Sequence, residues 1–158
     1  MKIFVKLTIY MVALIAFTLT SCTKTQQPAK PLASFTAKVT CDNQSYTVSH
    51  SGNSLTTITY HTPTELNGLT YSYKNNIMSI DYNNLSYTSA KGLPLNNSAS
   101  EIYNALSQIY SSGTYLKSTT NSTAIYTTQT ADIICSLITG EIQQIVINNN
   151  SKIYKFEY

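Results

Sequence analysis

The sequence predicts a mainly β domain: an antiparallel meander of about nine to eleven short strands with one amphipathic helix among them. Three observations carry that reading. From residue 33 onward, apolar positions recur at every second residue, the period of a strand with one face in a core and one in water. The apolar stretches are separated by short turns rich in Asn, as in chains of hairpins. A single stretch near residue 100 changes to the helical period, so the class is α+β with the sheet dominant.

Phe35, Ala37, Val39 and Cys41 alternate with Thr36, Lys38 and Thr40 in the first strand. Asp42-Asn43 turns the chain into a second strand through Tyr46 and Val48, and Ser51-Gly52-Asn53 into a third through Thr56, Ile58 and Tyr60. Pro63 ends that strand, because proline cannot donate to a ladder. Leu69, Tyr71 and Tyr73 mark a fourth, Met78, Ile80 and Tyr82 a fifth after Asn75-Asn76, and Leu85 with Tyr87 a sixth after Asn83-Asn84. A helix over about 99–111 follows, with Ser98 and Glu101 spaced as a capping box. Its apolar stripe is Ile102, Ala105, Leu106, Ile109 and Tyr110, and Gly113 stops it. Strands resume at Tyr115, around Ile125 and Tyr126, and over 133–138, 142–147 and 153–158, with Thr139-Gly140 as a hairpin turn.

Ahead of this domain the chain reads as a targeting segment over 1–21. Lys2 and Lys6 form a positive start, and residues 7–19 are an apolar run. That run is shorter than the ~20 residues a bilayer-spanning helix needs, but it suits the core of a signal peptide. It ends in Leu19-Thr20-Ser21-Cys22, an aliphatic residue three positions before a cysteine that follows a small residue. This resembles the lipobox of bacterial lipoproteins. The resemblance implies cleavage between Ser21 and Cys22, transfer of a diacylglyceryl group to the Cys22 thiol, and further acylation with palmitate-like chains. Two or more acyl chains, at ~0.8 kcal/mol per buried methylene, anchor a protein stably. The expected location is the extracytoplasmic face of the cell membrane, with residues 22–32 as lipidated cysteine and flexible stalk, and 33–158 as one domain.

Composition excludes several functions. All ten basic residues are lysines, and two of them belong to the leader. The remaining eight lysines face seven acidic residues, a net charge of +1. Without arginine forks or a lysine cluster, nucleic acid is not an expected partner. No nucleophile elbow, His-Glu-x-x-His pair or glycine-rich phosphate loop is present. His50 and His61 stand alone, the acidic residues are scattered, and the ligand count for a metal fails. The chain is therefore not expected to be an enzyme or to carry a cofactor. Cys41 and Cys135 lie among apolar strand residues. Export to an oxidising space would permit a disulfide between them, and packing as free thiols is the alternative.

The stretch from Ile58 to Tyr71, ITYHTPTELNGLTY, has the pattern I-x-Y followed by P-x-x-L-x-G-L. With the single helix and the closing hairpin after Thr139-Gly140, it resembles small lipoproteins of Firmicutes similar to the LolA/LolB lipoprotein-carrier superfamily. The resemblance implies a curved, open, half-barrel-like antiparallel sheet covered by one or two helices, with a hydrophobic cavity for acyl chains between them. Ile58, Tyr60, Leu69, Tyr71, Tyr73, Ile102 and Leu106 are then the expected cavity lining. The expected function is a membrane-anchored protein binding a hydrophobic or lipidic ligand. The alternative is a surface module for cell wall, glycan or a protein partner, with a filled core and exposed tyrosines.

Overall fold

The computed structural model describes residues 27–52, 55–75, 77–89, 97–110 and 113–158. The leader and the Leu19-Thr20-Ser21-Cys22 motif, with the proposed cleavage and lipidation at Ser21 and Cys22, lie outside these residues.

Eleven strands form one sheet: β1 (Ser34–Cys41), β2 (Gln44–Ser51), β3 (Leu55–Thr62), β4 (Thr70–Lys74), β5 (Ile77–Tyr82), β6 (Leu85–Ser89), β7 (Tyr115–Thr119), β8 (Thr123–Thr127), β9 (Ala131–Ser136), β10 (Ile142–Ile147) and β11 (Ile153–Glu157). A 3-10 turn at Thr64–Leu66 follows β3, and one α-helix, α1 (Ser98–Gln108), stands between β6 and β7. Two meanders, β1 to β6 and β7 to β11, join where β11 pairs with β1, giving the order β6-β5-β4-β3-β2-β1-β11-β10-β9-β8-β7. Every neighbouring pair is antiparallel. The ends β6 and β7 do not pair, so the sheet stays open.

The turns follow from residue chemistry. The β5–β6 hairpin has a two-residue loop in which Asn83 and Asn84 both have positive φ, 47° and 65°. This is the primed geometry that matches strand twist, and Asn tolerates it. The buried residues of β1 to β4 alternate as the period of two requires.

The sheet must curl, because one helix touches distant strands. Tyr103 of α1 stacks on Tyr73 of β4, with ring centroids 4.1 Å apart. Gln108 of the same helix accepts from Thr130, which leads into β9. In a flat sheet β4 and β9 would lie about 29 Å apart, at ~4.8 Å per strand. A helix with its side chains is only ~10–12 Å across. The concave face therefore wraps α1, whose stripe Ala99, Ile102, Ala105, Leu106 and Ile109 is buried. Tyr110, expected in the same stripe, is 38% exposed.

The helix starts one residue earlier than the sequence suggests. Its N-cap is Asn97, which accepts from the Ser100 N–H at 2.9 Å, while the Asn97 N–H donates to Ser100 Oγ. The expected Ser98–Glu101 box does not form, because Glu101 is drawn away to the sheet. The disulfide does not form either: Cys41 and Cys135 are free and buried. β11 and β10 lie between their strands, a separation of about 14 Å along the sheet against the ~7 Å limit between bridged Cα atoms.

The end of the expected stalk is held down. Ala29 N donates to Leu137 O and Leu32 N to Gly140 O, both at 2.9 Å. Gly140 has φ +73°, and a Cβ built on it would stand 2.1 Å from the Lys30 carbonyl oxygen. Only glycine allows this approach. Replacement Gly140→Ala should lower stability by about 2–3 kcal/mol through positive φ and a backbone clash. Chemical denaturation checks the loss, and faster amide exchange at Ala29 and Leu32 checks its location.

Candidate functional site

The expected lining residues meet on one face, but as a packed wall. Ile58, Ile102 and Leu106 have no accessible surface, so no water-sized space is left against them. Tyr60, Tyr71 and Tyr73 are 4%, 9% and 7% exposed. They belong to a run of rings across the sheet: Tyr46 lies edge-on to Tyr60 at 4.7 Å, Tyr60 lies 5.9 Å from Tyr71, and Tyr73 stacks on Tyr103. Leu69 is partly buried at the margin of this core. Of these seven residues only Tyr73 borders an open cleft described here. The side chains of α1 fill the space that the sequence reading assigned to a ligand.

Open space lies on either side of the C-terminal end of α1 and the two residues that follow it. One cleft, of about 270 Å³, is bounded by Ile109, Tyr110, Tyr115, Leu116 and Tyr126 and closed by the backbone at Lys30 and Pro31. Tyr110 donates its hydroxyl to Pro31 O at 3.0 Å, and Tyr126 donates to Ala29 O at 3.1 Å. Two of its rings thus clamp the N-terminal segment. The cleft is apolar because Leu116 pairs with Tyr126 and Tyr126 with Ile133, and directly opposed residues share a face. The other cleft, of about 230 Å³, lies against β2 to β4 and is lined by His50, Thr56, Tyr73, Tyr103, Ser107 and Tyr110 among others. No sequence signal pointed to Tyr115, Leu116 or Tyr126 as lining, because their place depends on which strand forms the edge.

The first turn of α1 is fixed by polar contacts. Glu101, partly buried, accepts from the Tyr154 hydroxyl and from Asn150 Nδ2 at 3.1 Å, with Lys152 Nζ 3.5 Å away. Lys152 also reaches Ser98 Oγ at 3.2 Å, and Ser98 donates to Gln44 Oε1 at 3.1 Å. Burial, together with the hydrogen bond to Glu101, pushes the Tyr154 hydroxyl far up, so it remains a donor. The helix is therefore pinned at its start to β2 and β11, and has open clefts along its end.

The thiols and histidines occupy structural surroundings. Burial and the adjacent Asp42 carboxylate raise Cys41 to about 11, and burial raises Cys135 to about 12. Both stay protonated and unreactive at neutral pH. His61 Nε2 lies 2.7 Å from Thr47 Oγ1 at the surface, and His50 Nδ1 lies 2.9 Å from Thr56 Oγ1 inside. Among the described residues no three His, Cys, Asp or Glu side chains gather to hold a metal. No helix among them is long and apolar enough to cross a membrane.

Among the described residues, an eleven-stranded open antiparallel sheet wrapped around one α-helix is the class this geometry defines. No protein-family model and no curated protein matches the chain. Among solved structures it is similar to a LolA superfamily protein from Nitrosomonas europaea, with 11% identity over 83% of this chain and 67% of the other, at a TM-score of 0.39.

Two outcomes follow from the polar groups. Glu101→Ala leaves the buried Tyr154 hydroxyl without its acceptor and should cost about 2–3 kcal/mol in a denaturant titration. Burial lowers the His50 pKa from 6.5, so between the two values the unfolded chain binds more protons. Stability is then full above about pH 6.5 and falls as pH drops through that value toward the folded pKa. His50→Phe should flatten this part of the stability–pH curve.

Proposed function

We propose that this chain is a lipid-anchored, extracytoplasmic binding protein that takes a hydrophobic or lipidic ligand in the apolar cleft just beyond the C-terminal end of α1. The observation that carries the reading is the cleft itself, an apolar hollow between the helix and the edge strand β7. Its place on the chain supports it. Ala29, in the segment that walls the cleft, is seven residues from Cys22, so an anchored Cys22 would lie within about 25 Å. A lipid leaving the membrane would have a short path. Lys30, an exposed residue of the cleft's lining, has the side-chain length to bring a cation to an anionic head group.

Size decides how the ligand fits. About 270 Å³ is just under the ~300 Å³ at which ligand pockets usually begin. The cleft as it stands takes the end of one acyl chain, and a longer insertion requires β7 to swing outward. All five residues of β7 are exposed, so that motion breaks few apolar contacts.

A second reading, a surface module docking on cell wall, glycan or protein, is favoured by Leu85 and Tyr87. They pair with Tyr82 and Ile80 on the concave face beyond the reach of α1, and are 74% and 51% exposed. The two readings part in one experiment. The full-length chain, extracted from membranes and analysed by native mass spectrometry, should carry an acyl lipid near one-to-one. Leu116→Asp should lose it, and Leu85→Asp should keep it. A mass without lipid, unchanged after lipid is added, contradicts the first reading and favours the second. Cys22→Ser should abolish incorporation of a labelled fatty acid; retained label would place the modification elsewhere.

A further inference from the structure

His50, Thr56 and Tyr73 form a row across β2, β3 and β4, His50 opposite Thr56 and Thr56 opposite Tyr73. All three border the 230 Å³ cleft. Among the described residues, the two buried side-chain polar atoms without any hydrogen-bond partner are His50 Nε2 and the Tyr73 hydroxyl. Both belong to residues that line the same cleft and are 4% and 7% exposed. A buried polar group without a partner keeps its desolvation cost unrepaid. As the side chains stand both atoms are closed off from solvent, so a ligand reaches them only if a neighbouring ring moves. The hydrogen bond from His50 to Thr56 fixes the ring so that Nε2 is the end left over.

The rest of the cleft says what would complete the pair. Its described lining contains no Lys, Asp or Glu, so a charged ligand would find no counter-ion. It is lined by the rings of Tyr73, Tyr103 and Tyr110 together with Thr56, Ser107 and Asn75, with Tyr73 and Tyr103 stacked on each other. Aromatic faces beside neutral hydrogen-bonding groups suit a ring with C–H bonds on its face and hydroxyls at its edge. The volume admits one such ring and not a chain.

We infer that this cleft is a second site, taking an uncharged polyhydroxylated ring the size of one sugar residue. The ring displaces Tyr103 from its stack on Tyr73, lies on Tyr73 in its place, and brings hydroxyls to His50 Nε2 and the Tyr73 hydroxyl. The site is independent of the lipid reading, since of its nine described lining residues it shares only Tyr110 with the apolar cleft.

The test uses the full-length chain with ¹⁵N-labelled histidine in micelles of a sugar-free detergent, titrated with glucose and with N-acetylglucosamine. The His50 ring signals should shift saturably with at least one of them, while those of His61 stay in place. Tyr73→Phe should weaken binding about five- to tenfold. Its melting temperature should equal or exceed the parent's, because an unpartnered hydroxyl is removed. Leu116→Asp should leave sugar binding unchanged. No saturable shift with either sugar, or equal binding by Tyr73→Phe, overturns the inference.

Discussion

Three register pairs between β1 and β11, Lys38 with Glu157, Val39 with Phe156 and Thr40 with Lys155, join two meanders that would otherwise each be a separate open sheet. Everything else rests on that seam. It brings the first and last strands to the centre of the sheet and pushes β6 and β7 to its two edges. The connection from one edge to the other then has to cross the concave face, and α1 lies on that crossing. Val39 and Phe156 bury the seam against the same core as the helix stripe.

The consequence is an uneven groove. At the start of α1 the polar contacts of Glu101, Ser98, Gln44 and Tyr154 tie the helix to both meanders. At its middle Ile102 and Leu106 fill the space completely. At its end the packing gives out into two hollows of different chemistry, one apolar toward β7 and one neutral and polar toward β4. Tyr110 stands between them and also bonds to the N-terminal segment. The two clefts, the held N-terminal segment and the exposed edge strand β7 thus lie side by side.

Much of the architecture is legible in local pattern. The alternation through Phe35, Ala37, Val39 and Cys41, the Asn83-Asn84 turn and the stripe from Ile102 to Ile109 each follow from short-range rules. Long-range choices are not legible in the same way. Asn97 with Ser100 and Ser98 with Glu101 both have capping spacing, and Tyr154, more than fifty residues from Glu101, decides between them. The distance between Cys41 and Cys135 depends on strand order, which periodicity does not encode. That residues 29–32 are pinned depends on Gly140 leaving room for a carbonyl. The tyrosine face was readable as one face, but whether a helix would fill the space above it was not, because filling depends on how far the sheet curls.

Paramagnetic broadening by a spin-labelled fatty acid bound to the full-length chain tests the central claim most directly. Broadening concentrated at Ile109, Leu116 and Tyr126, with Ile58 and Ile102 spared, is the result expected for a ligand held beside the end of α1. Broadening centred on Leu85 and Tyr87, or none above the micelle background, would contradict it.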